Sequence, residues 1–133
     1  MALNFPDTGE SLALEMIVNK TLAQNIVLKL YSNNITPSDT DTAVTYTEAT
    51  FPGYVAITLA GASWNAAVAG TIAYSAQQTF TRSSTGVTEN IYGYYCVQLT
   101  SGILLYSERD AAAPFAVTNL NDAIKITPTI SAN

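Results

Sequence analysis

The side chains best suited to chemistry in this sequence are its carboxylates, because its 133 residues include ten Asp and Glu, one Cys and no His. Glycoside hydrolysis needs two carboxyl groups at a set separation, and Glu48, Glu89, Glu108 and Asp110 are the candidates for such a pair. The sequence alone does not show which two of these carboxylates lie close together in the fold. The absence of histidine excludes the Ser-His-Asp and Cys-His arrangements. We therefore expect a protein that is not an enzyme, with no catalytic residue.

Other chemical patterns in the chain are incomplete. Asp39-Thr40-Asp41 begins like a calcium loop but lacks the glycine and the distal glutamate that complete one. The run Glu108-Arg109-Asp110 follows a strand and could place two carboxylates and a guanidinium at a sheet edge, and the alternative is a surface ion-pair cluster. Cys96 lies between aromatic and aliphatic neighbours with no base nearby, which predicts a buried, inert thiol. No glycine cluster has the spacing of a phosphate or dinucleotide loop, so we expect no metal and no cofactor.

Aromatic residues are the more informative feature, since a chain with 11% charged residues contains eight Tyr. On a strand, Tyr92 and Tyr94 would project from one face and Tyr95 from the other. One set could fill the core while the other contacts a partner, because tyrosine combines large area with a polar tip. The alternative is that these tyrosines only cover the sheet. With the N-terminal Leu3 and Phe5, Tyr92 and Tyr94 are the candidate partner interface.

One helix is expected, over residues 7–20. Asp7 and Glu10 resemble a capping box, and Leu14, Ile17 and Val18 recur at helical spacing. We expect this apolar stripe to pack on the sheet of the same domain, and the alternative is that it packs on a partner.

After the helix the apolar period changes to two. Ile26, Leu28 and Leu30 share one strand face, and a short strand is expected at 44–48. Ile72 to Phe80 predicts another strand, Ser101-Gly102 a two-residue hairpin link, and 123–130 an edge strand containing Pro128. These signals predict a mainly β fold, an antiparallel β-sandwich or compact barrel of about 7–8 strands with one N-terminal helix.

The domain organisation is interpreted as a single β-rich domain over 1–133, with an N-terminal segment and helix over 1–21 and a sheet domain over 22–133. The net charge of −5 would repel a phosphate backbone, so nucleic acid is not an expected partner. No apolar run approaches the roughly 18 residues of a membrane span, so no membrane partner is expected either.

Three segments carry a family resemblance: LKLYSNNITPSDTDTAVTYTEATFPGYVAITL (28–59) followed by Trp64, then NIYGYYCV (90–97) and DAIKITPTI (122–130). Their order and spacing resemble a family of small virion proteins encoded among the head genes of tailed bacteriophages, including cyanophages, some of which are capsid cement or decoration proteins. The resemblance covers almost the whole chain, and no functional residues are transferred from it.

The resemblance implies a non-enzymatic structural protein, made in the host bacterial cytoplasm, that binds the major capsid protein on the outside of the virion. It also implies a homo-oligomer, a dimer or a trimer. Two alternatives stay open: a glycan-binding module, in which Trp64 and exposed tyrosines stack on sugars, and a structural component of the phage tail or neck. A glycosidase would need two of the carboxylates in one cleft.

Overall fold

The computed structural model describes residues 3–132 and is mainly β, with one α-helix near the N-terminus, α1 (Asp7–Ile17). Two 3-10 turns lie at Ala43–Thr45 and Gly61–Ser63. The strands described are β1 (Leu3–Asn4), β2 (Ile26–Tyr31), β3 (Ile57–Leu59), β4 (Thr71–Ala73), β5 (Gln78–Thr81), β6 (Glu89–Ile91), β7 (Gly93–Gln98), β8 (Leu104–Arg109), β9 (Phe115–Val117), β10 (Ala123–Ile126) and β11 (Thr129–Ser131). The predicted fold class is confirmed, with more and shorter strands than expected.

A five-stranded sheet in the order β1-β8-β7-β2-β3 forms the centre of the molecule. Three two-stranded ribbons accompany it: β5 with β10, β4 with β11, and β6 with β9. All of these pairings are antiparallel. Across residues 3–132 these sheets remain open, so of the two predicted architectures the closed barrel is excluded.

Both faces of the central sheet are covered by apolar side chains. On β2, Leu28 and Leu30 belong to a larger cluster, whereas Val27 and Tyr31 belong to a smaller one. This alternation places the clusters on opposite faces of the sheet, and it confirms the predicted shared face of Ile26, Leu28 and Leu30. The larger cluster contains Leu12, Leu28, Leu30, Ala49, Phe51, Leu59, Phe80, Ile91, Tyr94, Cys96, Leu105, Tyr106 and Val117. The smaller contains Val27, Tyr31, Tyr46, Tyr95, Val97 and Leu104.

Helix α1 lies against β8 and differs from its prediction in three ways. It begins after Pro6 with no side-chain cap, so the predicted capping box is wrong. It ends at Ile17, and Asn19 follows with φ of +59°, a conformation that terminates helices. Its buried residues are Gly9 and Leu12, so the predicted packing stripe is also wrong.

Gly9 allows the helix to approach the sheet closely. A Cβ at this position would overlap the carbonyl oxygen of Leu105 in β8. Because backbone cannot give way as a flexible side chain does, only glycine fits at this contact. The position of this glycine therefore determines which side of α1 faces the core.

Several strand predictions are corrected in detail. Residues 44–48 contain part of a 3-10 turn and only an isolated bridge at Glu48, not a strand. The link between β7 and β8 spans 99–103, with Gly102 at φ of +70°, so it is longer than two residues. The segment 72–80 divides into β4 and β5, and 123–130 divides at the buried Pro128 into β10 and β11. Proline breaks the ladder there because it has no N–H to donate.

Candidate functional site

Aromatic side chains do not form the surface of this protein. Leu28, Leu30 and their neighbours share the core with five buried tyrosines: Tyr31, Tyr46, Tyr94, Tyr95 and Tyr106. The other three tyrosines, all four phenylalanines and Trp64 are buried or half-buried. Of the two alternatives, this burial favours the one in which the tyrosines cover the sheet.

The two tyrosines of the predicted interface lie on different faces. Tyr94 belongs to the larger cluster and is 8% exposed, whereas Tyr92 packs against the smaller cluster, which contains Tyr95. Tyr92 lies between β6 and β7, and this interruption ends the alternation on which the prediction rested. The guanidinium carbon of Arg109 lies 5.1 Å from the centre of the Tyr92 ring, a cation–π contact.

The N-terminal pair of the predicted interface occupies the edge of the central sheet. Leu3 is in β1 and pairs with Glu108 of β8. Phe5 follows, and its ring lies 5.6 Å from that of Tyr106. Both residues are half-buried and pack against the larger cluster, so only part of each side chain is available to a partner.

Among the buried tyrosines, the hydroxyls of Tyr46 and Tyr94 donate to acidic side chains, whereas those of Tyr31 and Tyr106 have no hydrogen-bond partner in residues 3–132. Tyr46 donates to Asp41 at 2.7 Å, and its hydroxyl lies 2.8 Å from that of Ser107. Asp41 also accepts from the backbone N–H and hydroxyl of Ser38 at 2.9 and 3.1 Å. Asp41 is thus a buried acceptor whose hydrogen bonds hold the 38–41 loop in place, rather than a solvated residue.

Burial suppresses ionisation in this core. It raises the pKa of Tyr31 and of Tyr95 to about 12, because a phenolate would lose its hydration. It raises the pKa of the Cys96 thiol to about 12 for the same reason. The fully buried Cys96 is therefore a packing residue.

Two of the four candidate carboxylates have structural roles. Glu48 accepts from Lys29 at 3.0 Å and from the hydroxyl of Tyr54 at 3.0 Å. Glu89 accepts from the backbone N–H groups of Thr50 and Phe51 at 3.0 and 2.7 Å. These bonds fix the segment that covers the central sheet, and neither residue lines the cavity described next.

Glu108 and Asp110 line one cavity of about 450 Å³. Glu108 lies near the end of β8, and Asp110 follows the last residue of that strand. The sequence grouped both residues in the run Glu108-Arg109-Asp110 but did not choose them as a pair among the four candidate carboxylates. Their opposite wall comes from β10, including Ile124 and Ile126, which no sequence signal joined to β8.

The outer face of α1 is an exposed apolar surface, whereas the favoured prediction placed its stripe against the sheet. Leu14, Ile17 and Val18 are 65%, 79% and 71% exposed, and Leu22, shortly after the helix, is 76% exposed. We call these four residues the outer helix patch. Leu14, Ile17 and Val18 are neighbours on one helix face, and they face away from the buried Leu12. An exposed aliphatic stripe of this kind is typical of a surface that another molecule covers. The first turn of α1 is polar, since it contains Asp7 and Glu10.

No family model matches this chain, and no curated protein matches it at a significant level. No group of three or more acidic or cysteine side chains suited to a metal ion occurs in residues 3–132. Within the same residues, no helix has the length and apolar character needed to cross a membrane.

Proposed function

We propose that this chain is a non-enzymatic virion structural protein, a cement or decoration protein that binds the outer face of a major capsid protein lattice and stabilises the shell. Two observations support the proposal: the resemblance of the sequence to small head proteins of tailed phages, and the outer helix patch. The patch carries the argument, since it supplies an attachment surface without a catalytic group.

The energetics of the patch suit attachment. Fully burying one Val, Leu or Ile side chain contributes about 1.5–3 kcal/mol. Leu14, Ile17 and Val18 leave most of their surface in water in the isolated chain. Covering them with a capsid subunit would recover most of that free energy, minus the cost of association.

The low charge of the chain supports the same interpretation. Only 11% of residues are charged, so a large surface can be covered while few ions lose their hydration. A homo-oligomer, a dimer or a trimer, would present several patches at once, and effective concentration would then multiply modest single-site energies. A protein on the capsid exterior does not contact the packaged genome, so its net charge of −5 is compatible with that location.

The proposal is tested with expanded shells of the phage that encodes the chain, prepared with and without the protein. The protein should sediment with the shells, and its addition should raise the temperature at which they release DNA. Light scattering with size exclusion should give a dimer or trimer for the free protein. Unchanged shell stability after saturating addition would contradict the proposal. Gold-labelled antibody that binds at tails or necks instead of heads would support the tail or neck alternative.

The glycan-binding alternative has weaker support. It needs aromatic faces open to sugar rings, and none of the aromatic residues is exposed. Trp64 is half-buried, with its ring 5.3 Å from that of Tyr74 in an edge-to-face contact. A glycan array tests this alternative directly, because a cement protein should show no dependence on sugars.

A further inference from the structure

A cavity of about 450 Å³ lies where the ends of β7 and β8 meet the β9 and β10 strands. Its volume is within the range of small-molecule sites, roughly 300–1,000 Å³. Lys125, Thr127 and Thr129 on its wall are exposed, so the cavity opens to solvent. It lies outside the outer helix patch, and none of the four patch residues lines it.

The cavity has an apolar wall and an acidic end. Ile91, Phe115 and Ile124 supply hydrocarbon surface, whereas Glu108 and Asp110 supply carboxylates. A site of this composition can bind the apolar part of a small ligand against the hydrocarbon wall and orient the charged group of that ligand toward the carboxylates.

Each carboxylate is held by one hydrogen bond and keeps one oxygen available. Glu108 Oε2 accepts from the hydroxyl of Tyr94 at 2.7 Å, and Asp110 Oδ1 accepts from the backbone N–H of Ala112 at 2.8 Å. The second oxygen of each accepts no hydrogen bond from residues 3–132. The acids are therefore positioned in advance, with free acceptor sites.

The nearby cations do not neutralise this end of the cavity. Arg109 donates to the carbonyl of Ile35 at 2.8 Å and lies over the ring of Tyr92. Lys125 is exposed on the cavity wall and forms no salt bridge within residues 3–132. The lining thus carries two acids and one solvated base.

We propose that this cavity binds a cation on a short apolar chain, an alkyl ammonium or alkyl guanidinium. The hydrocarbon would contact Ile91, Phe115 and Ile124, and the cation would bond to the available oxygens of Glu108 and Asp110. The same chemistry occurs in free diamines and in the lysine and arginine side chains of a protein partner. The inference does not depend on the proposed function, because it uses other residues and needs no shell.

A charge series on the purified full chain tests the proposal by NMR titration. The probes are n-butylguanidinium, n-butylammonium, neutral 1-butanol and anionic butyrate. The two cations should shift the amide signals of 108–110 and 124–126 saturably, and should bind at least about tenfold more tightly than 1-butanol. Equal binding of cation and alcohol, or no saturable binding, would overturn the proposal.

Matched variants locate the charge. Glu108→Gln and Asp110→Asn should each weaken cation binding roughly tenfold, whereas Glu10→Gln, on the exposed side of α1, should leave it unchanged. If Glu108→Gln unfolds because the hydrogen bond from Tyr94 is weakened, Asp110→Asn still tests the proposal, since Asp110 does not bond to Tyr94. Lys125→Gln should tighten binding because it removes the competing positive charge. Cation affinity that is unchanged in folded Asp110→Asn would overturn the assignment of the acidic end.

Two further probes distinguish the sources of the cation. Putrescine stands for a free diamine, and N-acetyl-arginine amide stands for a protein side chain. Saturable binding of either at 108–110 supports the proposal, and the tighter probe identifies the source. Binding of neither would overturn it, even if the chain still sediments with shells.

Discussion

Helix α1 and strand β7 place their large apolar residues in opposite ways. All six residues of β7 are buried, including Tyr94 and Tyr95 on opposite faces of the sheet. In α1, by contrast, Leu14 and Ile17 are largely exposed, although both are more apolar than tyrosine. Strand β7 is the middle strand of a sheet that is covered on both faces, whereas α1 lies outside that sheet. The place of each element in the fold therefore determines which side chains are buried, more than their hydrophobicity does.

Buried residues of β7 contribute to the core, whereas Leu14 and Ile17 contribute little apolar burial to it. The exposed aliphatic side chains of α1 would contribute further free energy if another molecule covered them. We infer that β7 supports folding and that the outer face of α1 supports assembly.

The largest expected effect is the alkaline loss of stability on the β7 side. The pKa of Tyr31 and of Tyr95 is about 12 in the folded chain, above the ordinary value of 10.0. The unfolded chain therefore loses these protons first, so their contribution is complete below pH 10 and is lost as pH rises toward 12. The free energy of folding that depends on these two protons is therefore lost as pH rises from about 10 to about 12.

This pH dependence is measured by tyrosine absorbance at 295 nm together with circular dichroism. Ionisation of the buried tyrosines should coincide with unfolding. If the absorbance change were complete near pH 10 while the circular dichroism stayed native, the tyrosines around β7 would be accessible to solvent. That result would contradict the contrast drawn between β7 and α1.

Truncating one residue in each region gives the next largest difference. Tyr94→Ala should lower the free energy of unfolding by about 3–5 kcal/mol, as for other large buried aromatics. Leu14→Ala should change it by less than about 0.5 kcal/mol, because Leu14 is an exposed surface position. Urea denaturation of both variants measures the difference, and similar losses would mean that Leu14 is packed in solution.

The contact between the helix and the sheet is probed by Gly9→Ala. Its methyl group would overlap the Leu105 carbonyl and push α1 from β8, at a cost of about 1–3 kcal/mol. Gly61→Ala is the matched control, since the nearest atom to a Cβ there is 3.9 Å away. Thermal denaturation should show a lower midpoint only for Gly9→Ala, and equal midpoints would argue against the close packing of α1.

The smallest effect on stability is expected at the end of the helix. Ile17→Ser should leave the free energy of unfolding within about 0.5 kcal/mol of the parent, because Ile17 is 79% exposed. If α1 mediates association, the same variant should lower the apparent mass in light scattering or release the chain from shells. A large loss of stability without loss of association would mean that this face stabilises the fold and does not mediate association.

The sequence predicted the period-two parts of this fold well. Leu28 and Leu30 on one face and the β7–β8 hairpin follow from local alternation and a turn glycine, which are properties of neighbouring residues. Pro128 was expected within an edge strand, but its missing N–H divides that strand instead.

Long-range contacts explain what the sequence did not predict. Periodicity marked Leu14, Ile17 and Val18 as an apolar stripe but could not show that Gly9 and Leu12 would face β8 instead. The signal was Gly9 itself, yet its role depends on the Leu105 carbonyl, almost a hundred residues away. The pairing of Glu108 with a wall from β10 likewise depends on topology, which alternation does not fix.

The most direct test of the attachment surface compares two exposed valines for binding to expanded shells. Val18 lies in the outer helix patch at 71% exposure, and Val87 lies in a loop at 89% exposure. Val18→Ser should weaken shell binding roughly tenfold or more, the equivalent of one lost apolar contact, whereas Val87→Ser should bind as the parent does. Equal binding of both folded variants, measured by sedimentation across a concentration series, would contradict the assignment of α1 as the attachment surface.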